Sequence, residues 1–212
     1  IRETVESRHI WHPSGANMQK ITGLVLAGGR SSRMGTNKAL LEINGETLLN
    51  RAVRLLELSG CKEVFISGDY YGQRSVPDRA QLGPLAGIAA GLDVCKTEKL
   101  LILPVDMPYM TTELLQLLMR FAFSGNGISY ADAQFPLLLL NNDANREILA
   151  GLLAPETPAN QRSIHQFCHA ALIIELPISP KYQYCFENTN TPEEWQLCQR
   201  RLNETNHEGQ LL

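Results

Sequence analysis

Apolar residues along this chain fall into two alternating patterns: short runs that are apolar almost throughout, and longer stretches where they recur at the spacing of a helix face. Residues 21–26 (ITGLVL) are the first short run and predict a buried strand. Residues 39–43 predict a short extended piece ending at Asn44-Gly45, a tight-turn dipeptide. Over 47–59 the apolar positions Leu48, Leu49, Ala52, Val53, Leu55, Leu56 and Leu58 predict an amphipathic helix, stopped by Gly60. A strand at 63–67 follows, then a small-residue helix over 83–95 with Pro84 in its first turn. Residues 100–105 are another buried strand, ended by Asp106, and Thr111 or Thr112 caps a helix reaching about Phe121. Beyond it the pattern predicts strands at 127–131 and 136–140, helices at 143–153 and 163–170, strands at 171–176 and 184–187, and a closing helix over 193–202.

Strands that are apolar throughout and alternate with helices predict an α/β fold: a single-domain, Rossmann-like, mostly parallel central sheet with helices on both faces. No internal repeat or low-complexity linker divides the chain. The expected domain is 20–203, preceded by an N-terminal extension at 1–19 and followed by a polar tail at 204–212. The first residues are polar and lack the apolar segment of a secretory signal. Met18 looks like a natural start, so 1–17 read as an upstream extension, an expression remnant or a loose arm. Ligands of such sheets bind beyond the carboxyl ends of the strands. Gly28, Asp106 and Asn188 each follow an expected strand and so converge on one edge.

Composition narrows the classes. A chain of 212 residues, 44% hydrophobic and 19% charged, suffices for one α/β domain with a substantial core. A net charge of −3 gives no basic surface for nucleic acid. No apolar run reaches the roughly 20 residues of a membrane span. Five cysteines without CxxC spacing argue for reduced packing thiols and a cytoplasmic compartment.

The chemistry concentrates after the first strand. The stretch LAGGRSSRMGTNK, from Leu26 to Lys38, places Gly28 and Gly29 ahead of Arg30, Arg33 and Lys38. Glycines let the backbone approach an anion and adopt positive φ, and backbone N–H groups with cations then neutralise it. The P-loop does not fit, because Gly35 is followed by Thr36 and Asn37. The G-x-G-x-x-G fingerprint is absent as well. The plain alternative is a surface turn with solvated basic residues. Asp106 is costly after an apolar strand unless it is used or paired; it is either a metal ligand or the cap of the next helix. His165, Cys168 and His169 share one helical face at a spacing that could ligate zinc, but no fourth ligand is near in sequence and a partly buried helix face explains them.

LAGGRSSRMGTNK resembles the signature loop of nucleotidyltransferases of the molybdenum cofactor guanylyltransferase family. GPLAG (83–87), PVDMP (104–108) and NTNTPEE (188–194) extend the resemblance in order, across about 21–202. The resemblance implies a Mg²⁺-dependent enzyme in which Asp106 holds the metal and Lys38 contacts the nucleotide phosphates and the charge that builds up in transfer. Arg30 and Arg33 suit the β- and γ-phosphates, since arginine binds phosphate in bidentate fashion. Nucleotide contacts are implied for the backbone of Leu26, Ala27 and Gly28, for Gly29 and Gly83, and for Ser67 and Asp78. Familiar members carry asparagine where this chain has Ser67. They also often carry a basic or histidine residue near Gln134-Phe135, before Pro136. LAGG in place of the LAAG of related cytidylyltransferases favours guanine. Asn188 and Asn190 are candidates to read a pterin edge; turn and cap duty is the alternative.

The implied reaction is attack by an acceptor phosphate on the α-phosphorus of GTP, with pyrophosphate leaving. The substrates are then GTP and molybdopterin. Transient contacts with other cofactor-biosynthesis proteins or molybdoenzymes are also implied, and neither nucleic acid nor membrane is expected. The alternatives are a relative that uses CTP or a sugar-phosphate acceptor, and a non-catalytic protein that binds the cofactor.

Overall fold

Strand β1 (Ile21–Leu26) is buried at all six positions, as a mostly apolar strand covered on both faces requires, and its one polar residue, Thr22, is paired with the Thr97 hydroxyl at 2.8 Å. The computed structural model describes residues 21–28, 37–70, 74–77, 83–121 and 124–209. β1 pairs in parallel with β4 (Glu63–Ser67) and with β6 (Lys99–Pro104). β5 (Ser75–Val76) adds in parallel beside β4. On the other side β6 meets β8 (Ala133–Leu140) antiparallel, and β8 pairs antiparallel with β7 (Gly127–Tyr130). β9 (Ile174–Leu176) closes the sheet in parallel with β7. The order is β5-β4-β1-β6-β8-β7-β9, with β2 (Glu42–Ile43) and β3 (Glu46–Thr47) forming a separate hairpin. The expected mostly parallel α/β sheet is the one found.

Alternation along the strands sends successive side chains into two cores. Val25, Leu101, Leu103 and Leu138 pack on one face with α1 (Leu48–Ser59), α3 (Thr112–Arg120) and α6 (Pro192–Gly209). Leu24, Leu26, Ile102 and Leu139 pack on the other with α2 (Pro84–Val94), α4 (Asp143–Leu153) and α5 (Ile164–Ala170). The small residues of α2 have a steric reason. A Cβ on Gly91 would lie 2.5 Å from Leu24 Cδ2, and one on Gly87 would lie 2.4 Å from Ser67 Oγ. Helix ends follow the sequence signals. Thr47 caps α1, Gly60 closes it at φ 108, and Thr111 rather than Thr112 caps α3.

Several segments differ from expectation: β5 has no counterpart among the expected strands, and β9 covers only the second half of the expected strand at 171–176. Lys38–Leu40 is a 3-10 helix, because the Asn37 side chain accepts from the Ala39 amide; only Glu42–Ile43 is extended. Residues 184–186 of the expected strand at 184–187 belong to a 3-10 helix, Pro180–Phe186, and Glu187 is its C-cap. Pro180 begins that turn, and Tyr182 and Cys185, three residues apart, both face inward, a spacing that a strand would divide between two faces. The final helix runs to Gly209, past the expected end at Leu202.

Candidate active site

A cleft of about 520 Å³ opens where β1 and β6 end. The first turn of α2 adds Pro84 to its wall, and the turn between β7 and β8 adds Asp132. The convergence expected of the strand ends is therefore realised for Gly28, Asp106 and Asn188, all of which line this cleft. Asn188, however, follows a 3-10 helix rather than a strand.

Lys38 and Asp106 meet across 68 positions of sequence, with Nζ 3.4 Å from Oδ2. Lys38 Nζ also donates to Asn190 Oδ1 at 2.7 Å. Both charged side chains are largely covered, 16% and 25% exposed, so their attraction is screened less than that of a surface pair. The Asp106 turn is tied down from three directions. The Val105 amide donates to the Leu26 carbonyl at 3.2 Å, and the Thr189 amide donates to the Asp106 carbonyl at 3.1 Å. From α1, Arg51 Nε donates to the Pro108 carbonyl at 2.9 Å. Thr111 performs the capping of α3, so the Asp106 carboxylate is not spent as a helix cap.

A capping box at α6 has the same effect on Asn190. Thr191 Oγ1 accepts from the Glu194 amide, and Glu194 Oε2 accepts from the amides of Asn190 and Thr191. The Asn190 side chain is thereby left to face Lys38.

The floor of the cleft begins at Ala27. Its amide donates to the Ser67 carbonyl at 3.3 Å, and its carbonyl accepts from the Tyr70 hydroxyl at 2.8 Å. Burial pushes the Tyr70 phenol above its usual value, keeping it a donor. Gly28 is exposed and is not among the positive-φ residues, contrary to the conformational role expected of it. A Cβ there would sit 3.5 Å from the Ser67 carbonyl oxygen, an ordinary contact. Among the described residues nothing demands glycine at 28; its missing side chain leaves the cleft floor open. Gly83, at φ 78, starts α2 without a side-chain cap. Ser67 is 2% exposed and its hydroxyl faces Gly87, so its side chain packs between β4 and α2 rather than lining the cleft. Gly29, Arg30, Arg33 and Asp78 lie outside the described residues.

The opposite wall carries Asp132, Gln134, Phe135, Phe186 and Asn188. Phe186 is held there by an edge-on contact with Tyr130, with ring centroids 5.1 Å apart. The Tyr130 hydroxyl in turn donates to the Leu114 carbonyl at 2.9 Å. Sequence reasoning missed Asp132, Phe186, Asn37, Arg51 and Tyr70. An acid placed between two predicted strands was a signal for Asp132, which adopts φ 58, a conformation aspartate tolerates better than most residues. Arg51 and Tyr70 carried no such signal.

On α5, His165 and His169 are exposed and Cys168 is half-buried, its thiol pushed up to about 11 by burial. Among the described residues no group of three or more histidine, cysteine or acidic side chains is arranged to hold a metal. All five cysteines are free. No helix among the described residues is long and apolar enough to cross a membrane.

Residues 23–169 match the family described as the MobA-like NTP transferase domain. The chain is 35% identical over 176 residues to a molybdenum cofactor guanylyltransferase of Xanthomonas euvesicatoria pv. vesicatoria, covering 82% of this chain and 92% of that protein. It is 28% identical over 202 residues to a probable molybdenum cofactor guanylyltransferase of Geobacillus sp., covering 84% of this chain and 97% of that one. Among solved structures, the molybdopterin-guanine dinucleotide biosynthesis protein A of Archaeoglobus fulgidus superposes with a TM-score of 0.68 at 17% identity, covering 86% of this chain and 99% of that one. A 2-C-methyl-D-erythritol 4-phosphate cytidylyltransferase of Thermus thermophilus superposes with a TM-score of 0.57 at 14% identity, covering 84% and 97%. These likenesses show a shared fold.

Proposed function

The chain belongs to the MobA-like NTP transferase family, and from that premise we propose that it transfers GMP from GTP to the terminal phosphate of molybdopterin, releasing pyrophosphate and forming the guanine dinucleotide cofactor. The observation that carries this reading is the meeting of Lys38, Asp106 and Asn190 beside the open floor at Gly28. An acceptor phosphate is already anionic, so the reaction needs alignment and charge neutralisation more than a general base. Lys38 is placed to stabilise the negative charge of the triphosphate. Arg30 and Arg33 extend the cationic set in the sequence, Arg33 as a catalytic group. Leu26, Ala27 and Gly28 contribute backbone to the nucleoside side, with Gly29, Gly83 and Asp78 as its further contacts; Ser67, buried against Gly87, falls outside that set. Asn188 and Asn190 face the acceptor. The reading assigns the reaction to the cytoplasm.

Mg²⁺ is the cofactor this reading requires. Asp106 fits it: a partly exposed carboxylate at a cleft is the kind of single protein donor that Mg²⁺ combines with phosphate oxygens and waters. When bound, the ion supplies charge neutralisation to the phosphates.

The test is pyrophosphate release by purified protein given Mg²⁺, molybdopterin and either GTP or CTP. Release with GTP supports the proposal; release with CTP alone transfers it to a cytidylyl donor. Nucleotide binding without release leaves a cofactor-binding protein.

A further inference from the structure

We propose that Tyr70 is a positioning residue for nucleoside triphosphate binding, a phenol that fixes the entry and the exit of the segment between β1 and Lys38 relative to one another. The inference rests on the proposed nucleotidyltransferase reading and names a residue in it that lies outside the sequence motifs.

Tyr70 Oη donates to the Ala27 carbonyl at 2.8 Å and accepts from Asn37 Nδ2 at 3.4 Å. Ala27 immediately precedes Gly28, and Asn37 immediately precedes Lys38, so one hydroxyl touches both ends of the phosphate-binding segment. Asn37 uses its Oδ1 to cap the 3-10 helix that carries Lys38, accepting from the Ala39 amide at 3.1 Å. The position of the lysine head is therefore coupled through a single short turn to the phenol. Lys38 then reaches Asn190 and Asp106.

Tyr70 is itself firmly rooted. Its amide donates to Ser75 Oγ at 3.2 Å, and the Ser75 hydroxyl donates to the Gly68 carbonyl. The ring lies against Gly68, where a Cβ would come within 2.8 Å of Tyr70 Cε2. Gly68 has φ +127, so glycine serves both the backbone conformation and the seat of the ring. The turn after β4 and Ser75 of β5 thus hold the ring, and the hydroxyl holds the nucleotide side of the cleft. Catalysis by charge placement depends on such a frame, since small displacements of a cation reduce what it contributes in transfer.

Tyr70→Phe keeps the ring on Gly68 and removes both hydroxyl contacts. With intact protein, Mg²⁺ and GTP, calorimetry should show binding weakened about tenfold, the scale of one or two lost hydrogen bonds. The thermal midpoint should stay close to that of the parent. Amide hydrogen exchange should accelerate at residues 37–41 and stay unchanged in α4 and α5. In a Lys38→Ala background the same change should cost less than twofold, because its effect passes through Lys38. GTP binding equal to the parent, or a full tenfold penalty persisting without Lys38, overturns the proposal. If the parent protein binds no nucleoside triphosphate, the nucleotidyltransferase reading fails. The exchange rates then still decide whether Tyr70 joins the two ends, and parent-like rates at 37–41 refute that too.

Discussion

At the level of single residues, the two amides of NTNTPEE have unequal duties. Asn190 holds Lys38 at 2.7 Å, whereas Asn188 is exposed on the cleft wall. Asn190→Ala should lower kcat by about tenfold and also raise the acceptor KM, given the ~1.5–3 kcal/mol typical of hydrogen bonds to charged groups. Asn188→Ala should raise the acceptor KM alone. Steady-state pyrophosphate release measures both, and an unchanged kcat for Asn190→Ala would remove Lys38 from the explanation. Lys38→Ala and Asp106→Ala should each reduce release by about 10²-fold or more while unfolding remains cooperative. Arg51 acts at one remove. It grips the Pro108 carbonyl and so steadies the turn bearing Asp106. Arg51→Ala should cost on the order of 1–3 kcal/mol in urea unfolding and slow release as well. Full activity would mean that the turn holds without it.

Among the elements, α2 shows how close packing constrains the site. Gly87→Ala would bring a methyl within 2.4 Å of Ser67 Oγ and should destabilise the protein by about 1–3 kcal/mol. Pairing it with Ser67→Gly should recover most of that loss; additive losses in denaturant titrations would show that the two positions do not contend for the same space. The legibility of the elements follows from the range of the forces that shape them. β1, β6, α1 and α4 were readable because apolar period, caps and Gly60 are local signals. The turn at Lys38–Leu40 was not, because a side-chain cap from Asn37 decides it. Pro180–Phe186 was misread as ending in a strand because its apolar residues serve a core contributed by Tyr130 and its neighbours. Lys38, Asp106 and the two asparagines were legible through ordered motifs. Tyr70, Arg51 and Phe186 were not, because each acts through partners distant in sequence.

For the molecule as a whole, burial of titratable groups sets an alkaline limit. Burial pushes the Cys61 thiol from an ordinary 9.0 up to about 12, and Tyr109 from 10.0 up to about 12. Raised values mean that folding favours the protonated forms. This contribution is complete below pH 9 and is lost as pH rises from there toward 12. Unfolding free energy from urea titrations should therefore fall between pH 9 and 10.5, and Cys61→Ala should flatten part of that fall. A steeper fall in the variant would reverse the sign and refute the assignment.

The change from parallel to antiparallel pairing between β6 and β8 assigns the two sides of the cleft to different parentage. One side descends from the early β1–β6 half, the other from the β7–β8 hairpin and the chain beyond it. On the proposed reading, changes confined to the late segment would alter which acceptor is taken and leave the donor's berth as it is.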